Sequence, residues 1–229
     1  MVFRLPNGEI IKDVHLCEII ETFQGEGPDS GKKCLLLRFK HCNKNCKWCD
    51  TKNKLSELPE KKYEISEINE IIKNRKLMVL ITGGEPTFSL NFLETLTLLN
   101  ELDTYLFNVE TNGNNIINLI NNTKNIKKIK FIFSPKIFDD NELKNNLSII
   151  KELKDNKKVF IKYVIYEENK YNDYFLNELY KLNINDRVYL MPLGSSKDEL
   201  FNNFKFVLDY AFKYDFNFTS RDHIIYNFK

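Results

Sequence analysis

The 229-residue chain has no long hydrophobic run, no surplus of either charge and only eight glycines. Its longest aliphatic stretches, such as 77–81, fall far short of the roughly 20 apolar residues that a membrane helix needs, which excludes a spanning segment. Lys and Arg total 34 against 32 Asp and Glu, a net charge of +2. That balance provides no electrostatic footprint for nucleic acid or an anionic membrane. The start of the chain carries Arg4, Pro6, Gly8 and Glu9 and lacks the apolar core of a secretory signal, so a cytoplasmic location is expected. No Gly/Ser/Pro-rich linker and no internal repeat divides the sequence. Residues 1–229 are therefore read as a single domain, with a composition of 42% hydrophobic and 29% charged residues that excludes a disordered or fibrous chain.

Five cysteines is an odd number, and Cys42, Cys46 and Cys49 crowd into one short stretch. This argues against a secreted disulfide framework and for a metal or redox site in a reducing compartment.

After an N-terminal extended segment at 14–23, short apolar runs at 34–39, 77–82, 105–110, 129–134, 159–166 and 187–191 read as strands. Helix-period stretches at 66–73, 90–102, 115–121, 142–153, 171–182 and 197–212 lie between them. Near-continuous apolar strands alternating with amphipathic helices give an α/β fold around a parallel sheet. An open or partial barrel and a doubly wound sheet are equally compatible with six such units. Both place chemistry at the C-terminal ends of the strands, and the unusual residues collect there: the cysteine loop, Gly83-Gly84-Glu85-Pro86, Glu110-Thr111-Asn112-Gly113, Ser134-Pro135-Lys136 and Met191-Pro192-Leu193-Gly194. Gly113 and Gly194 are compatible with ordinary turns, whereas the Gly83-Gly84 pair points to a positive φ or to a ligand that meets the backbone closely.

The thiols follow a strand at CxxxCxxC spacing, which lets them converge on one soft metal centre. A zinc site needs a fourth ligand, for which Cys17, Cys34 or His41 are the candidates. Cys34 lies among leucines and reads as a small buried hydrophobe, and His41 is a poor geometric partner for a centre held by its neighbour Cys42. An iron–sulfur cube held by three cysteines leaves one iron open to a cofactor.

These residues resemble the radical S-adenosylmethionine superfamily, whose signature is CxxxCxxC after the first strand of a partial (βα)6 barrel and whose GGEP element meets the methionine amine. The resemblance implies a TIM-like partial barrel with the N-terminal extended segment added to it. It also implies a 4Fe–4S cluster on Cys42, Cys46 and Cys49, with the bound S-adenosylmethionine cleaved to a 5′-deoxyadenosyl radical.

Gln24-Gly25-Glu26-Gly27, Gly31, Arg38 and Cys49-Asp50-Thr51, with the later strand-end motifs, are similar to the 7-carboxy-7-deazaguanine synthase family over nearly the whole chain. That family contracts 6-carboxy-5,6,7,8-tetrahydropterin to 7-carboxy-7-deazaguanine with loss of ammonia, on the route to queuosine. By this resemblance Trp48, Cys49, Asp50, Gly84, Ser134, Pro135, Lys136, Met191, Pro192, Leu193 and Gly194 line S-adenosylmethionine. Phe23, Gln24, Gly25, Glu26, Arg38 and Thr82 meet the pterin, Arg38 suiting its carboxylate and Glu26 its 2-aminopyrimidinone edge, while Gly25 leaves room for the flat ring. Thr51 is the implied Mg²⁺ ligand and the Lys229 carboxylate a further substrate contact. A flavodoxin or ferredoxin as electron donor and a homodimer follow from the same resemblance. His41 departs from the family, which usually has glycine there. The competing readings are an activase that makes a glycyl radical on a partner protein, and a zinc or iron–sulfur scaffold without catalysis.

Overall fold

The computed structural model describes residues 11–49, 51–102, 104, 106–124, 126–166 and 169–228. The chain sorts into two units, one built from the residues up to Thr22 and Lys32–Phe131, the other from Phe23–Gly31 and Ile132–Lys229.

In the first unit β1 (Asp13–Leu16), β2 (Glu18–Phe23) and β3 (Lys33–Phe39) are followed by α1 (Lys52–Glu57), β4 (Lys61–Glu64), α2 (Ile65–Arg75), β5 (Met78–Gly83), α3 (Leu90–Glu101), β6 (Phe107–Thr111) and α4 (Ile116–Asn122). The strands run in the order β2, β3, β5, β6, with β3, β5 and β6 parallel. Leu35, Leu37, Phe39, Val79, Ile81 and Val109 are buried on one sheet face, while Cys34, Leu36, Met78 and Leu80 cluster on the other with Ile20 and Leu106. Burial of both faces is why these strands read as unbroken apolar runs. The α2 helix starts with a reciprocal capping box between Glu64 and Glu67 and buries Ile65, Ile68 and Ile72 along one stripe.

The N-terminal segment is two strands where one was expected. The break falls at Cys17, whose N–H leaves the strand to donate to the Arg38 carbonyl at 2.9 Å. β1 then pairs antiparallel with β4 in a separate two-stranded sheet.

β7 (Ile129–Phe133) carries the chain into the second unit, which adds α5 (Asp140–Leu153), β8 (Val159–Ile165), α6 (Asn172–Lys181), β9 (Val188–Pro192), α7 (Lys197–Tyr214), β10 (Asn217–Phe218) and α8 (Asp222–Ile225). β8, β9 and β10 are parallel neighbours. Side-chain caps from Asp139 and Ser196 accept the N–H of Glu142 and Glu199 and start α5 and α7. Ile161, Tyr163 and Ile165 are buried on one face of β8, where the Tyr163 ring meets that of Phe175 from α6 at 4.7 Å, while Lys162, on the opposite face, is buried as well. The parallel strands with intervening helices are the α/β fold expected. Among the described residues no helix is long and apolar enough to cross a membrane.

Candidate active site

In the first unit the cysteine loop leaves the end of β3 and is held by the end of β5. The amides of Gly84 and Glu85 donate to the carbonyls of Phe39 and His41 at 2.8 and 2.7 Å. A β-carbon on Gly83, whose φ is +119°, would lie 2.1 Å from the Phe39 oxygen, and one on Gly84 would lie 2.2 Å from the His41 oxygen. The glycine pair is thus required by the passing backbone of the loop. Asn91 ties the same turn from α3, its amide donating to the carbonyls of Glu85 and His41 at 2.9 and 3.2 Å.

The Glu85 carboxylate is 1% exposed. Burial pushes its pKa up, against hydrogen bonds that pull it down. Those come from the Thr111 and Thr87 hydroxyls, each at 2.6 Å, the Asn112 amide at 2.7 Å and the Thr87 amide at 3.0 Å. Asn112 in turn donates to the Asn43 side chain, inside the cysteine loop, at 2.7 Å. The ends of β3, β5 and β6 are therefore laced together around a satisfied buried carboxylate.

All five cysteines are free, with Cys17 and Cys34 buried and Cys42, Cys46 and Cys49 at least partly exposed on the loop. Burial pushes the Cys34 thiol up to about 12 and also raises Cys17, so neither supplies a ready thiolate. Burial also raises Cys42, with smaller contributions from Glu85, Cys46 and Cys49. The three loop thiols thus share one electrostatic neighbourhood, although among the described residues no three His, Cys, Asp or Glu side chains are gathered as a metal-ligand set. Three free thiols on one loop are the donor chemistry that a soft iron–sulfur centre takes.

Thr51 places its hydroxyl 3.4 Å from the Cys49 sulfur, and Trp48 is half-buried beside them. Asp50 and Lys229 lie outside the described residues. His41 projects as an exposed loop side chain 3.5 Å from Glu60. Arg38 and Thr82 are neighbours in register on β3 and β5, and Arg38 donates to Glu18 at 2.8 Å in an ion pair whose members are each 11% exposed.

In the second unit Ser134, Pro135 and Lys136 follow β7, the Lys136 amine donating to the Ser134 hydroxyl at 2.8 Å. Met191 and Pro192 end β9, and the carbonyls of Leu193 and Gly194 beyond it accept from Asn203 at 2.7 Å and Arg221 at 2.6 Å. Gln24 is buried and Phe23 exposed, its ring edge-on to Phe228 at 6.1 Å. Glu26 forms a buried cluster with Lys162 at 2.6 Å, Arg221 at 3.0 Å and His223 at 3.8 Å. The face of Gly25 expected to admit a flat ring is filled by His223, whose Nδ1 would stand 2.6 Å from an added β-carbon.

Sequence reasoning missed Glu18, Lys162, Arg221 and His223 as site neighbours. Lys162 carried a signal, a lone cation in the apolar run Val-Phe-Ile-Lys-Tyr-Val-Ile. Arg221 and His223 lie in the Ser220–His223 stretch, which resembles the family's ending without pointing to Glu26, and Glu18 carried no signal, because its partner is brought to it only by the fold.

A parallel α/β fold in which a three-cysteine loop is pinned by a Gly-Gly-Glu-Pro turn defines the class: residues 36–171, more than half the chain, match the Radical SAM superfamily. The 7-carboxy-7-deazaguanine synthase of Thermoplasma acidophilum is 35% identical over 130 residues, 56% of this chain and 56% of that one. This alignment spans about half of that relative. The enzyme of the same name from Buchnera aphidicola is 30% identical over 207 residues, 80% of this chain and 86% of that one. Among solved structures, QueE from Escherichia coli matches with a TM-score of 0.59 at 19% identity, over 92% of this chain and 95% of that one, a likeness of fold. Within the radical SAM superfamily, the chain belongs to the 7-carboxy-7-deazaguanine synthase family.

Proposed function

We propose that the protein converts 6-carboxy-5,6,7,8-tetrahydropterin to 7-carboxy-7-deazaguanine with loss of ammonia. The observation that carries the reading is the loop of three free thiols clamped at its base by the Gly83-Gly84-Glu85-Pro86 turn. Cys42, Cys46 and Cys49 hold a 4Fe–4S cluster which, with S-adenosylmethionine bound, supplies the one-electron chemistry. Trp48, Asp50, Gly84, the 134–136 segment and the 191–194 segment hold that cofactor. Phe23, Gln24, Glu26, Arg38, Thr82 and the Lys229 carboxylate orient the pterin, and Gly25 leaves room for His223 beside Glu26. Thr51 offers a hard hydroxyl oxygen to Mg²⁺, an ion that retains waters and takes further oxygens from substrate. A small iron–sulfur or flavin protein of the ferredoxin or flavodoxin type supplies the electron, and the enzyme works as a cytoplasmic homodimer.

The test is anaerobic: reconstitute the cluster, reduce it, add S-adenosylmethionine, Mg²⁺ and the tetrahydropterin, and look for 7-carboxy-7-deazaguanine by mass and ultraviolet spectrum. Cys46→Ala is expected to abolish both iron retention and product. Cleavage to 5′-deoxyadenosine without product would shift the reading to an activase. A verified cluster with neither outcome would leave a scaffold.

A further inference from the structure

Glu26 has more positive charge around it than its own neutralisation requires. Lys162, 6% exposed, meets Oε2 at 2.6 Å, and Arg221, 9% exposed, meets Oε1 through Nε at 3.0 Å. The guanidinium is itself fixed, its Nη1 donating to the Gly194 carbonyl at 2.6 Å. The backbone beside Glu26 is held too: the Gly27 amide donates to the Thr219 hydroxyl at 2.7 Å and the Asp222 amide to the Gly25 carbonyl at 2.9 Å. One lysine suffices to pair a buried carboxylate, so a second buried cation asks for another reason.

A carboxylate has about four acceptor sites, and the two close cations take one on each oxygen. One site per oxygen remains, since the His223 Nε2 at 3.8 Å from Oε1 stands beyond hydrogen-bond distance. We propose that Lys162 and Arg221 are positioning residues that keep Glu26 an oriented carboxylate, leaving those two sites for adjacent N–H donors of a 2-aminopyrimidinone ring. This rests on the pterin reading of the site. A ring settling on Glu26 strips away its remaining water and penalises its charge, and the second cation offsets that penalty. The titratable and charged groups facing Glu26 are Lys162 from β8, Arg221 at the start of α8 and His223 within it. Together they hold the carboxyl well below its usual range although burial alone raises it.

The test uses reconstituted holoenzyme with S-adenosylmethionine bound and the cluster left unreduced, titrated with 6-carboxypterin by its fluorescence from about pH 7 down to about pH 5, a window into which a buried, unpaired Glu rises. The wild-type affinity is expected to stay flat. In Lys162→Met and Arg221→Gln it is expected to be about 10-fold weaker at neutral pH, one lost charge-assisted contact. It should weaken further on acidification, as Glu26 takes a proton and loses acceptor sites. Arg221→Lys should keep the flat profile, and Glu26→Gln combined with Lys162→Met should abolish the pH dependence. Circular dichroism identifies any variant that does not fold; if Lys162→Met is one, Arg221→Gln and Arg221→Lys decide alone. Parallel profiles for wild type, Lys162→Met and Arg221→Gln overturn the proposal while leaving the pterin reading intact. A wild-type protein that binds no 6-carboxypterin overturns that reading and the proposal with it.

Discussion

Arg38 and Glu26 are both charged residues assigned to the substrate by resemblance, and the structure gives them different surroundings. Arg38 is already neutralised by Glu18, and both members of the pair are largely buried. Arg38→Ala therefore removes the ion-pair partner of a largely buried carboxylate, and breaking a buried pair in this way costs about 3–5 kcal/mol. Urea unfolding should show that loss, and Glu18→Gln added to Arg38→Ala should recover part of it. No recovery would mean that Arg38 acts through packing alone. Glu26 contributes to stability with a defined sign in pH. Its folded pKa lies below the ordinary 4.5, so its stabilisation is present above that value and is lost as pH falls beneath it. Glu85 and Glu94 run the other way, since burial raises both; their contributions are fully present at low pH and decline as pH rises through their folded values. Glu26→Gln should accordingly be less stable than wild type at neutral pH. The difference between the two proteins should narrow below pH 4.5, a comparison that cancels the titration of Glu85 and Glu94.

Among the elements, the Gly83–Gly84 turn connects local sequence to the candidate cluster site most directly. Because a β-carbon at Gly84 meets the His41 carbonyl at 2.2 Å, Gly84→Ala must push the cysteine loop off the end of β5, at the level of its backbone hydrogen bonds. Iron and sulfide per chain after reconstitution should drop, with far-ultraviolet circular dichroism nearly unchanged; full iron loading would show that the loop is free to shift. The need for glycine here was legible, since a paired glycine before Glu85-Pro86 in a chain with so few glycines marks a positive φ or a close approach. What approaches, the backbone beyond β3, was not. The parallel strands and their helices were legible for the same physical reason, burial on two faces or on one stripe. Elements fixed by distant pairing were not: β4 is a largely exposed polar strand of Lys-Lys-Tyr-Glu that exists by pairing with β1, and β10 is two residues placed by β9. The cysteine spacing made the candidate site readable. Glu18 lies 20 positions from Arg38 and Arg221 lies 195 from Glu26, beyond any local pattern.

On the scale of the whole chain, the second unit is discontinuous, because residues 23–31 are separated in sequence by a hundred residues of the first unit from the rest of their own unit. Within that unit they are held by the last residues of the chain, through Gly27 to Thr219, Glu26 to Arg221, Gly25 to Asp222, Ser30 to Asp222 and Phe23 to Phe228. Such long-range closure forms only once the C-terminal segment is present, and it carries the full loop-closure entropy of nearly the whole chain. A chain ending at Phe216 keeps the cysteine loop, the Gly83–Gly84 turn and the Glu85 network of the first unit, and it lacks every one of these tail contacts. Its iron content per chain after reconstitution should match that of the full-length protein, whereas 6-carboxypterin binding should be lost. A glutamate-specific protease should cut after Glu26 in the shortened chain and spare that bond in the full-length one, since the ion pairs and the Thr219 and Asp222 hydrogen bonds hold the segment closed only in the latter. Equal protection of Glu26 in both chains would show that the 23–31 segment is fixed without the tail. Loss of iron and pterin together would show that the two sites do not form independently.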